Sequence, residues 1–158
     1  MKYFKVVAAL FVLAIASGSC TKQTALEKAT PWDVSGITPI TVSSELVPGS
    51  EYLIYVVSEG TGRLPFHGDY MCFQANGFTA DFTAFYTTID ASEQCYQADT
   101  RSTPIIGLEE ALMKMKKGGK YRFVFPPEMA YGNENYAYNG AVAPGSKVIY
   151  DIELTSIY

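Results

Sequence analysis

Residues that commonly act as nucleophiles or metal ligands are scarce in this sequence, which contains three cysteines and one histidine. Cys72 and Cys95 lie in strand-like stretches, and His67 lies in a turn-like stretch between Phe66 and Gly68. A Cys–His nucleophile pair needs a third group to orient the histidine, and none is evident. One histidine and the lack of a Cys-x-x-Cys spacing also argue against zinc. We therefore predict a function that needs no covalent nucleophile, metal or cofactor.

Aromatic residues are the richer chemical resource, because the chain has 12 tyrosines and 9 phenylalanines. Several tyrosines fall in the segment from Met129 to Gly145, which separates two predicted strands and is rich in Asn and Gly. Connections of this length are usually functional or disordered. Tyrosine combines a large apolar ring with a polar hydroxyl. We therefore predict an aromatic-lined surface or cleft that includes this segment.

Patterned stretches of the chain predict the elements that position these residues. Alternating, β-branched and aromatic residues predict strands, and the Asn76–Gly77 dipeptide predicts a turn that closes the second one. The predicted strands are 52–57, 70–74, 82–89, 95–97, 120–125 and 147–154.

One stretch changes to helical spacing, with Ile105, Leu108, Leu112 and Met115 on one face. Thr103 is the predicted cap, and the glycines at 118 and 119 end the helix. The lysines at 114, 116 and 117 are interpreted as favourable charge at its C-terminus. Because one helix cannot cover both faces of a sheet, we predict an α+β domain whose antiparallel sheet wraps around the helix.

The first residues read as a targeting segment. Lys2 and Lys5 precede an apolar run over 6–16, and small residues lead to Cys20. The run is shorter than the ~20 residues that span a bilayer. It resembles a bacterial lipoprotein signal, which predicts a signal peptide over 1–19 and lipidation at Cys20; an ordinary secretory signal is the alternative. The Pro-, Ser- and Thr-rich stretch 20–50 is predicted to be a flexible tether, followed by a domain over 51–158.

Charge and cysteine content limit the partners. The net charge of −4 argues against nucleic acid, since phosphate binding needs clustered basic residues. An exported protein experiences oxidising conditions, so Cys72 and Cys95 could form a cross-strand disulfide. Two buried free thiols are an equally good interpretation of the sequence.

Three segments of the C-terminal half carry recognisable motifs. They are PIIGLEEAL from Pro104, FPPEMAYG from Phe125 and APGSKVIYDIEL from Ala143. In order and spacing they resemble the FKBP family of peptidyl-prolyl isomerases, whose patterns include Val-Ile-x-Gly-Trp-Glu-Glu-Gly and Pro-x-x-x-Ala-Tyr-Gly. The resemblance covers about residues 51–158. It implies a five- or six-stranded antiparallel sheet wrapped around the helix, with a shallow apolar pocket between them.

The resemblance also implies an activity and a site. The activity is rotation about X–Pro bonds, which a dry pocket promotes by favouring the twisted amide. The resemblance implies catalytic roles for Tyr131, Ile105 and Phe85, and substrate-binding roles for Leu108, Tyr136, Val142, Tyr150 and Asp90.

Several positions depart from the family pattern. The usual pocket-floor Trp is Leu108, a strand Tyr is Ala75, and Tyr150 replaces a Phe. An ungapped alignment uses Phe85 and puts Tyr86 in place of a pocket Asp, whereas a gapped alignment uses Ile89 with Asp90. Both alignments remain open from the sequence alone.

The function predicted from the resemblance is a prolyl isomerase that acts on proline-containing segments of exported proteins. It is expected in the cell envelope of a Gram-negative bacterium, facing the periplasm or the surface and held to the membrane by its lipid. The altered positions leave a non-catalytic peptide- or protein-binding module as the alternative. A structural lipoprotein whose Tyr/Asn-rich loop meets another envelope component is a third possibility.

Overall fold

A computed structural model describes residues 25–133, 137 and 140–158, in which strands dominate. The elements in chain order are β1 (Ile40–Ser43), β2 (Glu51–Ser58), β3 (Tyr70–Thr79), β4 (Ala84–Thr87), β5 (Gln94–Gln97), α1 (Ile106–Met113), β6 (Lys120–Phe125), a 3-10 turn (Pro127–Met129) and β7 (Val148–Ile157). Within these described ranges, no helix has the length and apolar character that crossing a bilayer requires.

The strands form one antiparallel sheet in the order β1-β2-β6-β7-β3-β4, and β5 also pairs with β3. The long β3–β7 pairing runs from Met71 opposite Ile157 to Thr79 opposite Val148. Helix α1 buries Leu108, Ala111 and Leu112 in the same core as the inward side chains of the sheet. The predicted fold class is therefore confirmed, with seven strands in the sheet rather than five or six.

Strand β3 corrects the turn predicted at Asn76–Gly77. The strand continues to Thr79, and Gly77 lies inside it opposite Tyr150 of β7. A Cβ at position 77 would lie only 2.9 Å from Cζ of Phe85. Glycine therefore allows the Phe85 ring to pack directly on the β3 backbone, which is a recognised use of glycine within strands.

The start of the helix also differs from the prediction. Ile105, with extended backbone angles, is the N-cap residue, and no side chain among the described residues caps the helix. The Thr103 hydroxyl lies 2.9 Å from the carbonyl oxygen of Ile105, to which it donates. At the other end, Lys114 is the C-cap residue and forms an ion pair with Glu45.

The structure differs from the flexible tether predicted over 20–50, because β1 lies within that stretch and pairs with β2. Trp32 is also held on the sheet through its backbone. Its backbone N–H donates to the Asp151 carboxylate at 2.8 Å, and its backbone carbonyl accepts from the Arg122 guanidinium at 2.8 Å. Arg122 and Asp151 form a bidentate pair that is almost fully buried. The ordered domain therefore begins well before residue 51.

Two further links tie distant parts of the chain together. Cys72 of β3 and Cys95 of β5 form a disulfide across a directly paired register position, so the structure selects one of the two alternatives left open by the sequence. Glu110 of α1 accepts hydrogen bonds from the Ser44 hydroxyl at 2.7 Å and from the N–H groups of Glu45 and Leu46. The β1–β2 connection is thus anchored on the helix.

Candidate functional site

The candidate site is organised around Tyr131, which follows the 3-10 turn that ends β6. The N–H of Gly132 donates to the carbonyl of Pro127 at 2.7 Å, and Gly145 N–H donates to the carbonyl of Gly132 at 2.8 Å. Gly132 has a φ of 58°, a conformation that glycine adopts without steric cost. This local turn places the half-buried Tyr131 over the end of β7, where its hydroxyl lies 2.9 Å from that of Tyr150.

Aromatic rings surround this hydroxyl pair. Phe85 stands edge-on to Tyr131, with ring centroids 6.0 Å apart, and edge-on to Tyr150 at 5.7 Å. Tyr86 and Phe125 also pack on Tyr150, at centroid distances of 5.9 and 6.3 Å. Edge-to-face pairs at these distances are favourable beyond the area they bury. The result is an aromatic group in which the hydroxyl of the half-buried Tyr131 is paired with that of the fully buried Tyr150.

Aliphatic residues complete the site. Ile105, Leu108 and Val142 are 3%, 1% and 1% exposed, and they belong to the same buried cluster as Phe85 and Tyr150. Tyr131 packs against this cluster. Six of the predicted site residues thus lie in or against the hydrophobic core: Tyr131, Ile105, Phe85, Leu108, Val142 and Tyr150.

The backbone of Ile105 adds a polar group to this apolar site. Among the described residues, none accepts a hydrogen bond from the N–H of Ile105. Its carbonyl, in contrast, accepts from Thr103 and from the N–H of Leu108. A backbone donor without an internal acceptor is well suited to bind a carbonyl oxygen of a ligand.

Burial limits access to the group. The side chains of Phe85, Ile105, Leu108, Val142 and Tyr150 are each 3% exposed or less, so only Tyr131 among the six has a substantial accessible surface. Tyr131 is therefore the member of the six that a substrate can reach most directly.

Asp90, for which a substrate-binding role was predicted, lies outside this aromatic group. It is exposed and forms an ion pair with Lys28. The reason is local: Thr88 is bound to Ala75 of β3 through backbone and side chain, and the chain then turns, with Ala91 N–H donating to Thr88. Of the two alignments, the structure supports the one that uses Phe85 and Tyr86. Tyr136 and Cys20 lie outside the described residues.

Sequence reasoning also missed a polar component beside the site. Glu109 and Glu110 are 2% and 4% exposed, although a Glu-Glu pair on a short helix suggests a solvated surface. The only signal in the sequence is their position between Leu108 and Ala111, which are core residues.

An antiparallel sheet around one helix, with a tyrosine and apolar residues where they meet, defines the class of prolyl isomerase-like domains. The model of the FKBP-type peptidyl-prolyl cis-trans isomerase family matches residues 62–155. The chain belongs to this family.

Relatives and solved structures agree with this assignment. FkpA, an FKBP-type isomerase of Escherichia coli, is 32% identical over 107 residues, which is 66% of this chain and 37% of FkpA. An FK506-binding protein of Neisseria meningitidis is 26% identical and is covered over 95% of its length. The crystal structure of the FKBP domains of wheat FKBP73 has a TM-score of 0.63 at 32% identity, covering 68% of this chain and 46% of that one. The chain thus spans well under half of the E. coli relative.

Proposed function

We propose that this chain catalyses cis–trans isomerisation of X–Pro bonds at the aromatic group around Tyr131. The observation that carries the proposal is the hydroxyl pair of Tyr131 and Tyr150, whose rings both stand edge-on to Phe85. The unengaged N–H of Ile105 supplies a further donor in the same core. The family resemblance implies substrate-contacting roles for these residues, which supports the proposal.

The reaction needs stabilisation of a twisted amide rather than bond cleavage. Rotation about the C–N bond has a barrier of ~18–20 kcal/mol because resonance gives that bond partial double-bond character. Twisting removes the resonance and lowers the dipole of the amide, so a water-poor aromatic site favours the twisted form over the planar one. In this chain the Tyr131 hydroxyl and the Ile105 N–H fix substrate carbonyls, while Phe85, Leu108 and Tyr150 form apolar walls.

The test is a refolding assay on a substrate protein limited by a slow proline step, with folded full chain as catalyst. Acceleration above the uncatalysed rate is expected, and a Tyr131→Phe variant should lose part of it. Tyr70→Phe is a matched control, because Tyr70 is an exposed tyrosine on β3. Equal rates with and without the wild-type chain would reject catalysis.

The second candidate is a binding module that holds a proline-containing segment without accelerating it. The burial of five of the six site residues and the surface position of Asp90 favour this candidate. It predicts that proline peptides perturb the NMR signals of Tyr131 and Ile105 while their cis–trans exchange rates stay unchanged.

We further infer an envelope location, with Cys20 lipidated and exported proteins as substrates. The Cys72–Cys95 disulfide supports this inference, because structural disulfides persist mainly in oxidising compartments. Labelling with a radioactive or clickable fatty acid should mark the wild-type chain and not Cys20→Ser. Equal labelling of both would remove the lipid anchor from the proposal.

A further inference from the structure

A separate cavity opens beside Ile105, on the side of the helix start. Its volume is about 190 Å³, and its lining residues are Arg101, Thr103, Pro104, Ile105, Ile106, Glu109 and Ala130. A single water needs only roughly 10–15 Å³ by a comparable measure, so the cavity has room for a side chain. Its lining is mixed: Pro104, Ile106 and Ala130 contribute apolar surface, whereas Glu109 and Arg101 bring opposite charges to it.

Glu109 is the unusual member of this lining. The residue is 2% exposed, yet its Oε1 has no hydrogen-bond partner among the described residues. The other oxygen, Oε2, lies 3.3 Å from the Thr103 hydroxyl, whose single proton it shares with the closer carbonyl oxygen of Ile105. The start of the helix nearby favours a negative charge at Glu109, but a helix dipole does not replace a missing donor. A buried carboxylate oxygen is costly unless a donor reaches it.

Arg101 supplies the complementary group at the exposed side of the cavity. It has a φ of 52° and is exposed, and its guanidinium carries five N–H donors and no acceptor. A ligand that satisfies both residues needs a donor for Glu109 and an acceptor for Arg101. An ammonium group would be repelled by the positive charge of Arg101, and a carboxylate would be repelled by the negative charge of Glu109.

We propose that this cavity is a specificity subsite for a carboxamide side chain, Asn or Gln, next to the proline of the substrate. The carboxamide NH₂ donates to Glu109, its carbonyl accepts from Arg101, and its methylene groups contact Pro104 and Ile106. The subsite rests on the proposed binding of proline segments, because it shares Ile105 with the aromatic group. It selects among those segments and takes no part in the rotation itself.

The test uses two sets of short peptides in which the residue before or after proline is Gln, Leu, Lys or Glu. NMR exchange spectroscopy gives kcat/KM for each peptide with the full chain. In one of the sets, the Gln peptide should exceed the Leu peptide by about tenfold, the size typical of a hydrogen bond to a charged group. Ratios near one in both sets would overturn the subsite.

Two variants tie that preference to the cavity. Glu109→Gln and Arg101→Ala should each lower the Gln-to-Leu ratio to below about threefold. Arg101→Ala should also raise kcat/KM for the Lys peptide relative to that for the Leu peptide, because the variant removes a positive charge that repels lysine. Ratios are compared within one variant, so a general loss of folded protein cancels. A tenfold ratio that persists in both variants would also overturn the subsite.

Failure of catalysis is distinguishable from failure of the subsite. If the wild-type chain accelerates none of the peptides, their dissociation constants are measured by NMR titration with the same variants. Tighter binding of the Gln peptide that depends on Arg101 then supports the subsite and rejects only the isomerase activity. Equal affinities for all four peptides reject the subsite.

Discussion

The hydroxyl of Tyr150 should support the function of Tyr131, and Tyr150→Phe removes it with little other change. The ring contacts with Phe85, Tyr86 and Phe125 remain, because they involve the aromatic faces and edges of residue 150. What is lost is the 2.9 Å hydrogen bond to Tyr131. A neutral hydrogen bond contributes ~1 kcal/mol net, so urea unfolding should show a decrease of about this size.

The same change should reduce kcat/KM. The hydrogen bond from Tyr150 restricts the orientations of the Tyr131 hydroxyl, which we propose binds substrate. Losing this restraint should raise the activation free energy by up to ~1 kcal/mol, which lowers kcat/KM by up to about fivefold. Tyr131→Phe should reduce kcat/KM at least as much. Once residue 131 is Phe, the second change should have little further effect.

A double-mutant cycle of Tyr131→Phe and Tyr150→Phe measures this dependence directly. The assay is NMR exchange of a proline peptide, and the expected coupling is ~1 kcal/mol. Two results would refute the reasoning. One is strictly additive effects, and the other is Tyr150→Phe with an unchanged kcat/KM beside a clear loss in Tyr131→Phe.

Three predictions concern stability, each read from urea unfolding. The Cys72–Cys95 disulfide has a sequence separation of 23, and its reduction should lower the free energy of unfolding by roughly 3 kcal/mol. Reductant should not change the stability of a Cys72→Ala/Cys95→Ala control. Arg122→Leu should lower the free energy of unfolding by ~3–5 kcal/mol, because it leaves the buried Asp151 without its ion-pair partner. Adding Asp151→Leu should recover part of this loss, and no recovery would contradict the charge argument. Glu110→Gln should lower the free energy of unfolding by ~1–3 kcal/mol, because an amide accepts weaker hydrogen bonds from the β1–β2 connection than a carboxylate does. An unchanged urea midpoint would show that the connection does not depend on the carboxylate.

The parts of the fold that sequence patterns predicted are those whose side chains face one core. Alternation along 120–125 and helical spacing from Ile105 to Leu112 both follow from burial of one face. Strand β6 covers the predicted residues, whereas α1 is shorter than predicted, since it begins at Ile106 and ends at Met113, before the glycines at 118 and 119. Gly77 misled the prediction because a glycine that makes room for Phe85 looks like a turn residue. Strand β1 depends on pairing with β2, and the docking of Trp32 depends on Asp151 at a separation of 119 residues, and the local patterns within 20–50 encode neither partner.

The site shows the same division. Tyr131 and Tyr150 were identified from local motifs, and the structure joins their hydroxyls. The choice between Phe85 and Asp90 could not be made from the sequence, because it depends on how Thr88 binds across to Ala75. The buried Glu109 was missed since charge usually indicates a solvated face, and only packing against the preceding segment reveals the opposite.

The proposed function depends most on whether the aromatic group around Tyr131 accelerates X–Pro rotation. The direct measurement is the exchange rate between cis and trans forms of a proline peptide, by NMR, with and without the folded full chain. We predict a faster exchange that is reduced in Tyr131→Phe and unchanged in Tyr70→Phe. An exchange rate equal to that of the free peptide, with bound and folded protein present, would contradict it.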